Sequence, residues 1–239
     1  MELKILTKEE IYESIKEEIR SLLRKKNNAV LGLATGSSPI GVYDALIKSY
    51  QEGDIDFSNV TTFNLDEYVG ISEDHPQSYH YFMNEHLFKH VNLIKSKTHV
   101  PSTNKESPDY FEHYDELIKD HGGIDLQILG IGSNGHIAFN EPGTSFDSLT
   151  HEVSLKESTI KDNSRFFNSI DEVPTKAVSM GLKSIMNAKH IVIIITGSNK
   201  ANALKRLMSK EVNNDLPASI LVKHPSVTIY ADKEAASLL

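Results

Sequence analysis

Ile191-Val-Ile-Ile-Ile195 is the strongest strand signal in the chain, five β-branched residues in succession. Ala29-Val-Leu-Gly-Leu-Ala34 is a second apolar run, again without alternation of apolar and polar residues. That pattern belongs to parallel strands covered on both faces. Leu3–Leu6, Val60–Leu65, Ile124–Leu129 and Val227–Ala231 read as further strands, the Val60 strand ending at Asp66. Helical segments separate them. Thr7-Lys-Glu-Glu10 is a capping box, and Ile11, Ile15, Ile19, Leu22 and Leu23 then recur at helical spacing. Helices are also expected from Pro39 to about Tyr50, Ser78 to Phe88, Pro108 to Lys119 and Ala201 to Met208, with a short closing one over Lys233–Leu238. Strand and helix alternate, which predicts an α/β fold with a mainly parallel sheet. The 239 residues suit one large domain or two small ones. A polar stretch, 143–175, has weak periodicity and the length of a lid or binding loop, or of a surface insertion without a role.

In such sheets ligands bind outside the carboxyl ends of the strands. Four polar segments fall there and share one rim: Thr35–Pro39, Asp66, Gly130–Glu141 and Thr196–Lys200. The richest is Gly130-Ile-Gly-Ser-Asn-Gly-His136-Ile-Ala-Phe-Asn-Glu141-Pro-Gly143. Gly130, Gly132 and Gly135 satisfy the dinucleotide fingerprint, but Pro142 and Gly143 interrupt any helix that would open at the third glycine. The alternative is proton-transfer chemistry. His136 can take or give a proton near neutral pH, Glu141 can orient it, and Asn134 adds an amide. Asp66 is either a base beside a carbonyl or imine carbon, or a turn cap. Glu67 points to the opposite side if the strand continues. Gly36, Ser37 and Ser38 precede Pro39 at a helix start, where backbone N–H groups and the dipole favour a phosphate; a plain Ser cap is the other reading. Lys200 and Arg165 are candidate cations for that phosphate, Arg165 flanked by Phe166 and Phe167.

Composition narrows the chemistry. The chain has no cysteine, which excludes disulfides, thiolate metal sites and cysteine nucleophiles. The formal charge is −8 with no basic stripe, which argues against nucleic acid. No apolar stretch approaches the ~20 residues of a membrane span, and the start lacks a signal-peptide pattern, so a cytoplasmic protein is expected. No H-x-x-x-H or C-x-x-C spacing supports a metal site.

Taken together, Leu31–Pro39, Phe63-Asn-Leu-Asp-Glu-Tyr-Val-Gly70, Gly135-His-Ile-Ala-Phe-Asn-Glu-Pro142, Asn163-Ser-Arg-Phe-Phe167 and Gly197-Ser-Asn-Lys200 resemble the glucosamine-6-phosphate deaminase family, nearly end to end. The resemblance implies an open, Rossmann-like α/β/α sandwich formed as a single domain, 1–239, without a dinucleotide. It implies that glucosamine 6-phosphate and water give fructose 6-phosphate and ammonia, with no metal or organic cofactor. His136 would open the sugar ring, supported by Glu141 and Asn134. Asp66 would carry the proton from C2 to C1. Gly36, Ser37, Ser38, Arg165 and Lys200 would hold the phosphate. Some family members carry Asp at the position of Asn134. Larger members are hexamers activated by N-acetylglucosamine 6-phosphate through a basic pair, at positions that are His151 and Val153 here, and have a longer C-terminus. A monomer without that activation is therefore expected. The rivals are a 6-phosphogluconolactonase, which usually has Arg where Tyr68 stands, and a non-enzymatic sugar-phosphate sensor.

Overall fold

The computed structural model describes residues 1–156, 160–161, 164, 167 and 169–239. Its main sheet has seven strands in the order β1-β10-β9-β6-β2-β3-β5. These are β1 (Glu2–Ile5), β2 (Val30–Leu33), β3 (Thr61–Asn64), β5 (Thr98–His99), β6 (Leu126–Gly130), β9 (Ile191–Ile195) and β10 (Val227–Ala231). Every neighbouring pair runs parallel. All five residues of β9 are buried, as its unbroken β-branched run requires. The register sets Gly32 opposite Gln127, whose side chain fills the space a Cβ would take at Gly32.

Helix α1 (Lys8–Lys25) opens with the expected capping box: Glu10 N donates to Thr7 Oγ1, and Thr7 N to Glu10 Oε2. It buries Ile11, Ile15, Ile19 and Leu23 on one face. It packs on α2 (Ile40–Gln51), where Gly41 leaves room for the Tyr12 ring. The other helices are α3 (Tyr79–His86), α4 (Phe111–Asp120), α5 (Leu182–Met186) and α6 (Ala201–Met208). From β2 the chain works outward through β3 to β5. It then returns to β6, beside β2, and works outward the other way through β9 to β10, which pairs with the N-terminal strand β1 at the edge. The order therefore reverses between β2 and β6, which opens a crevice at their carboxyl ends.

Three expectations need correction. Asp66 does not end β3. The chain leaves the main sheet at Leu65, and β4 (Asp66–Tyr68) enters a second, antiparallel sheet ordered β4-β8-β7. The stretch 143–175 is not all loop: β7 (His151–Ser154) pairs with β8 (Lys176–Ser179), and Ile170–Glu172 forms a 3₁₀ turn. Residues 233–238 form turns rather than a helix, with Ala235 N held by the Asp232 carboxylate. The small sheet has its own core of Tyr68, Phe139, Leu155 and Ala177, joined by Tyr79, Val153, Ile160 and Phe167.

Candidate functional site

A cavity of about 310 Å³ fills the crevice. Its walls come from the end of β2 (Ala34, Thr35, Ser38), from Asp66, from Tyr79, from the turn after β6 (Gly130 to Ser133, His136, Phe139) and from Asn199 and Lys200. Three of the four rim segments expected to converge supply Ser38, His136 and Lys200 to it, and the fourth supplies Asp66. Gly36, Ser37, Asn134 and Glu141 belong to the same rim segments but are not among the lining residues.

The turn after β6 is built by its glycines. Gly135 N donates to Gly132 O and Gly132 N to His136 O, folding the segment back on itself. Gly135 has φ +88°, a left-handed value that favours glycine. A Cβ on Gly132 would overlap the His136 imidazole. No helix opens at Gly135; Ile137 and Asn140 form an isolated bridge instead, so the dinucleotide geometry is absent here. Ala138 is held at φ +51°, a strained value that occurs where neighbouring bonds over-determine the chain. Asn140 supplies some of them, donating to Ile137 O and Met180 O.

This scaffold fixes three side chains. Asn134 Oδ1 accepts from His136 N at 3.1 Å, and its Nδ2 donates to Glu141 Oε2 at 2.8 Å. Glu141 Oε1 lies 3.7 Å from His136 Nδ1. Asn134 thus clamps the carboxylate and the imidazole backbone in one frame, and Glu141 is placed to stabilise a protonated His136.

Asp66 is only 6% exposed, and among the described residues none donates a hydrogen bond to its carboxyl. Burial, and then the charge of Glu67, push its pKa up to about 8. Glu67 faces the other way, as expected, and accepts from the backbone of Tyr79 and His80.

On the phosphate side, α2 starts at Pro39 with no side-chain cap, so the Ser37 or Ser38 cap is not the arrangement found. Its first turn carries no acidic residue, which leaves the positive end of the helix unopposed. Gly36 has φ +84° and turns the chain from β2 into the helix. Ser38 borders the cavity and Ser37 is exposed beside it. Lys200 is half-buried at the wall. Arg165, like Phe166, lies outside the described residues. Phe167 packs edge-on against Tyr68, with ring centroids 6.0 Å apart.

Two contributors escaped the sequence reading. Tyr79 enters the wall as the first residue of α3. Asp232 accepts from Gly197 N with both oxygens at 3.0 Å and so holds the turn that carries Lys200. Asp232 directly follows β10, a strand end of the kind that marked the other rim segments. Among the described residues no group of three or more His, Asp or Glu could hold a metal ion.

A doubly wound α/β protein with acid–base groups, and no dinucleotide turn, at its switch point is the class these features define. The chain belongs to the family described as glucosamine-6-phosphate isomerases/6-phosphogluconolactonase, whose sequence model matches residues 6–230. It is 53% identical over 232 residues to a glucosamine-6-phosphate deaminase of Thermoanaerobacter pseudethanolicus, covering 97% of this chain and 92% of that one. It is 50% identical to a Clostridium perfringens glucosamine-6-phosphate deaminase, covering 98% of each. A solved monomeric glucosamine-6-phosphate deaminase superposes with a TM-score of 0.96 at 44% identity over the whole of both chains. A 6-phosphogluconolactonase from Thermotoga maritima gives 0.76 at 22% identity, covering 97% of this chain and 98% of that one, and so shares the fold.

Proposed function

We propose that this chain converts glucosamine 6-phosphate and water to fructose 6-phosphate and ammonia, an isomerising hydrolysis of a C–N bond. The observation that carries the proposal is one cavity bounded by Asp66, His136 and Lys200. The phosphate sits at the start of α2 against Gly36, Ser37 and Ser38, with Lys200 and Arg165 as counter-charges. His136 moves the proton between the anomeric hydroxyl and the ring oxygen, opening the ring, while Glu141 and Asn134 steady the imidazolium. Asp66 then takes the C2 proton while the C2 ammonium gives up a proton and the C1 carbonyl oxygen gains one, giving an enolamine, and Asp66 returns its proton to C1. The ketimine left at C2 adds water and loses ammonia. Each step is a proton transfer or a hydration, so the proposal needs no metal or organic cofactor.

The raised pKa of Asp66 fits this role. A higher pKa makes a carboxylate a stronger base toward a carbon-bound proton, and burial supplies that rise. The ammonium at C2 of the incoming sugar brings a positive charge beside Asp66, which favours its ionised form once substrate is bound. The high identity to named deaminases over the whole chain supports the substrate. We further propose a single catalytic domain acting as a cytoplasmic monomer, with 143–175 as its lid, and without activation by N-acetylglucosamine 6-phosphate. The full-length superposition on a monomeric deaminase supports the monomer. No described helix is long and apolar enough to cross a membrane.

Ammonia release from glucosamine 6-phosphate, with wild type and Asp66→Asn side by side, tests the reading. Release by wild type that is lost in a folded variant still able to bind a sugar phosphate is the expected result. A folded wild type that releases none overturns it, and lactone hydrolysis becomes the next assay.

A further inference from the structure

Two carboxylates stand side by side in β4, both buried, and only Asp66 borders the cavity. Side chains alternate across a strand, so Glu67 lies behind it. There Glu67 is fully engaged. It accepts from Tyr79 N at 2.9 Å, His80 N at 3.0 Å, Tyr68 N at 2.8 Å and lies 2.9 Å from His80 Nδ1. Tyr79 and His80 are the first two residues of α3, and the Ser78 cap serves a different donor, Tyr81 N. Glu67 therefore sits where a helix N-terminus favours an anion, and it ties α3 to β4.

The residue held most directly is Tyr79. Its ring borders the cavity, lies parallel to Phe139 (interplanar angle 9°, centroids 6.2 Å) and is 5.0 Å from the Tyr68 ring. Burial raises the pKa of its hydroxyl well above the ordinary value, and the Asp66 charge adds to the rise. We propose that Glu67 is a positioning residue for proton transfer at Asp66: from behind the strand it fastens Tyr79 as a wall of the cavity and fixes a negative charge beside the reacting carboxyl. This rests on the reaction proposed above. Among the described residues, the titratable groups around Asp66 are Glu67 and Tyr68 on β4, Tyr79 and His80 on α3, Tyr114 on α4, His136 in the glycine turn and Lys200 in the cavity wall. After burial, it is the charge of Glu67 that holds the proton on Asp66.

Two substitutions separate the roles. Glu67→Gln keeps the shape and removes the charge. The acid limb of its kcat/KM profile should move to lower pH by about half a unit, with kcat down by about twofold to threefold as the base weakens. Glu67→Asp keeps the charge but draws the carboxylate back from α3. It should leave the limb in place and raise KM by about fivefold as the Tyr79 wall loosens. Folded E67Q with the wild-type limb and kcat would overturn the proposal. Should E67Q not fold, a folded E67D with wild-type KM overturns it alone. If wild type releases no ammonia, the reaction fails separately. The Asp66 carboxyl is then titrated by carbon NMR in wild type and E67Q, and an unchanged midpoint overturns the role of Glu67.

Discussion

Asp66 and Asp125 are buried almost equally, 6% and 7% exposed, at opposite ends of the main sheet. Asp125 precedes β6 at the amino end. Its carboxylate takes Lys26 at 2.6 Å, Lys189 at 2.7 Å and Val30 N at 2.8 Å. Burial raises its pKa, but those partners outweigh it and the net shift is downward. Asp66, at the carboxyl end, has no such clasp, and its pKa goes the other way. Near-equal exposure thus accompanies a structural anion in one place and a base of raised pKa in the other, and the partners set much of the difference. Hollows repeat the lesson. The amino-end depression is larger, about 670 Å³, yet its polar groups pair with each other: Glu18 with His190 at 3.0 Å and with the Tyr230 hydroxyl at 2.5 Å. Size marks that hollow, whereas chemistry marks the smaller one.

The largest expected effect comes from removing the uncompensated member. Asp66→Asn should lower kcat for ammonia release by about 10²–10⁴-fold, the usual contribution of a positioned base. The same change should stabilise the fold. The folded pKa of Asp66 is above its unfolded value near 4, so wild type loses stability as pH rises from about 4 to about 8. Thermal melts should therefore show D66N gaining on wild type across that window. A gap that narrows with rising pH would sink the account of Asp66 as a strained base.

Next in size is Gly132→Ala. Its Cβ would overlap the His136 ring, and the imidazole must move to relieve it. A loss of roughly 10²-fold in kcat/KM is expected, because misplacing a catalytic group by about 1 Å costs that much. Asp125→Asn inverts the pattern. It should leave kcat unchanged and destabilise the fold by about 1–3 kcal/mol at pH 7, with the two lysines partly solvated. The folded pKa of Asp125 is lowered, so its stabilisation is present above the unfolded value and lost as pH falls through the folded one. The melting curves of D125N and wild type should converge in acid.

The elements that packing alone dictates were legible in the sequence. β9, β10 and α6 fall within the residues that apolar runs and helical spacing pick out, and the rim assignment follows from strand polarity. β4 was not legible, because Asn64–Leu65–Asp66 carries the β3 pattern onward with no glycine or proline where the chain changes sheets. β7 escaped because His151-Glu-Val-Ser alternates weakly on a half-exposed sheet. Among the candidate residues, His136, Asn134, Glu141 and Asp66 could be picked out because each lies in a polar segment that follows a strand's apolar run. Tyr79 and Asp232 were not, because what matters about them is a contact across many residues of chain: Glu67 to Tyr79, and Gly197 to Asp232.

The smallest effect separates binding from chemistry at the carboxyl end. Lys200 shares the cavity lining with Asp66, yet its expected work is on the phosphate, unlike the lysines that neutralise Asp125. Its placement depends on the Gly197 turn, where Lys200 N donates to Gly197 O and Asp232 anchors Gly197 N. Lys200→Met keeps much of the side-chain volume and removes the charge. KM should rise about tenfold, which is ~1.4 kcal/mol, with kcat within about threefold of wild type, since a contact made equally in ground and transition states alters KM alone. Inorganic phosphate should weaken as a competitive inhibitor by a similar factor. A large fall in kcat at unchanged KM would instead place Lys200 with the proton-transfer groups, and the contrast between Asp66 and Asp125 would then lie in how their lysines are used rather than in whether they have any.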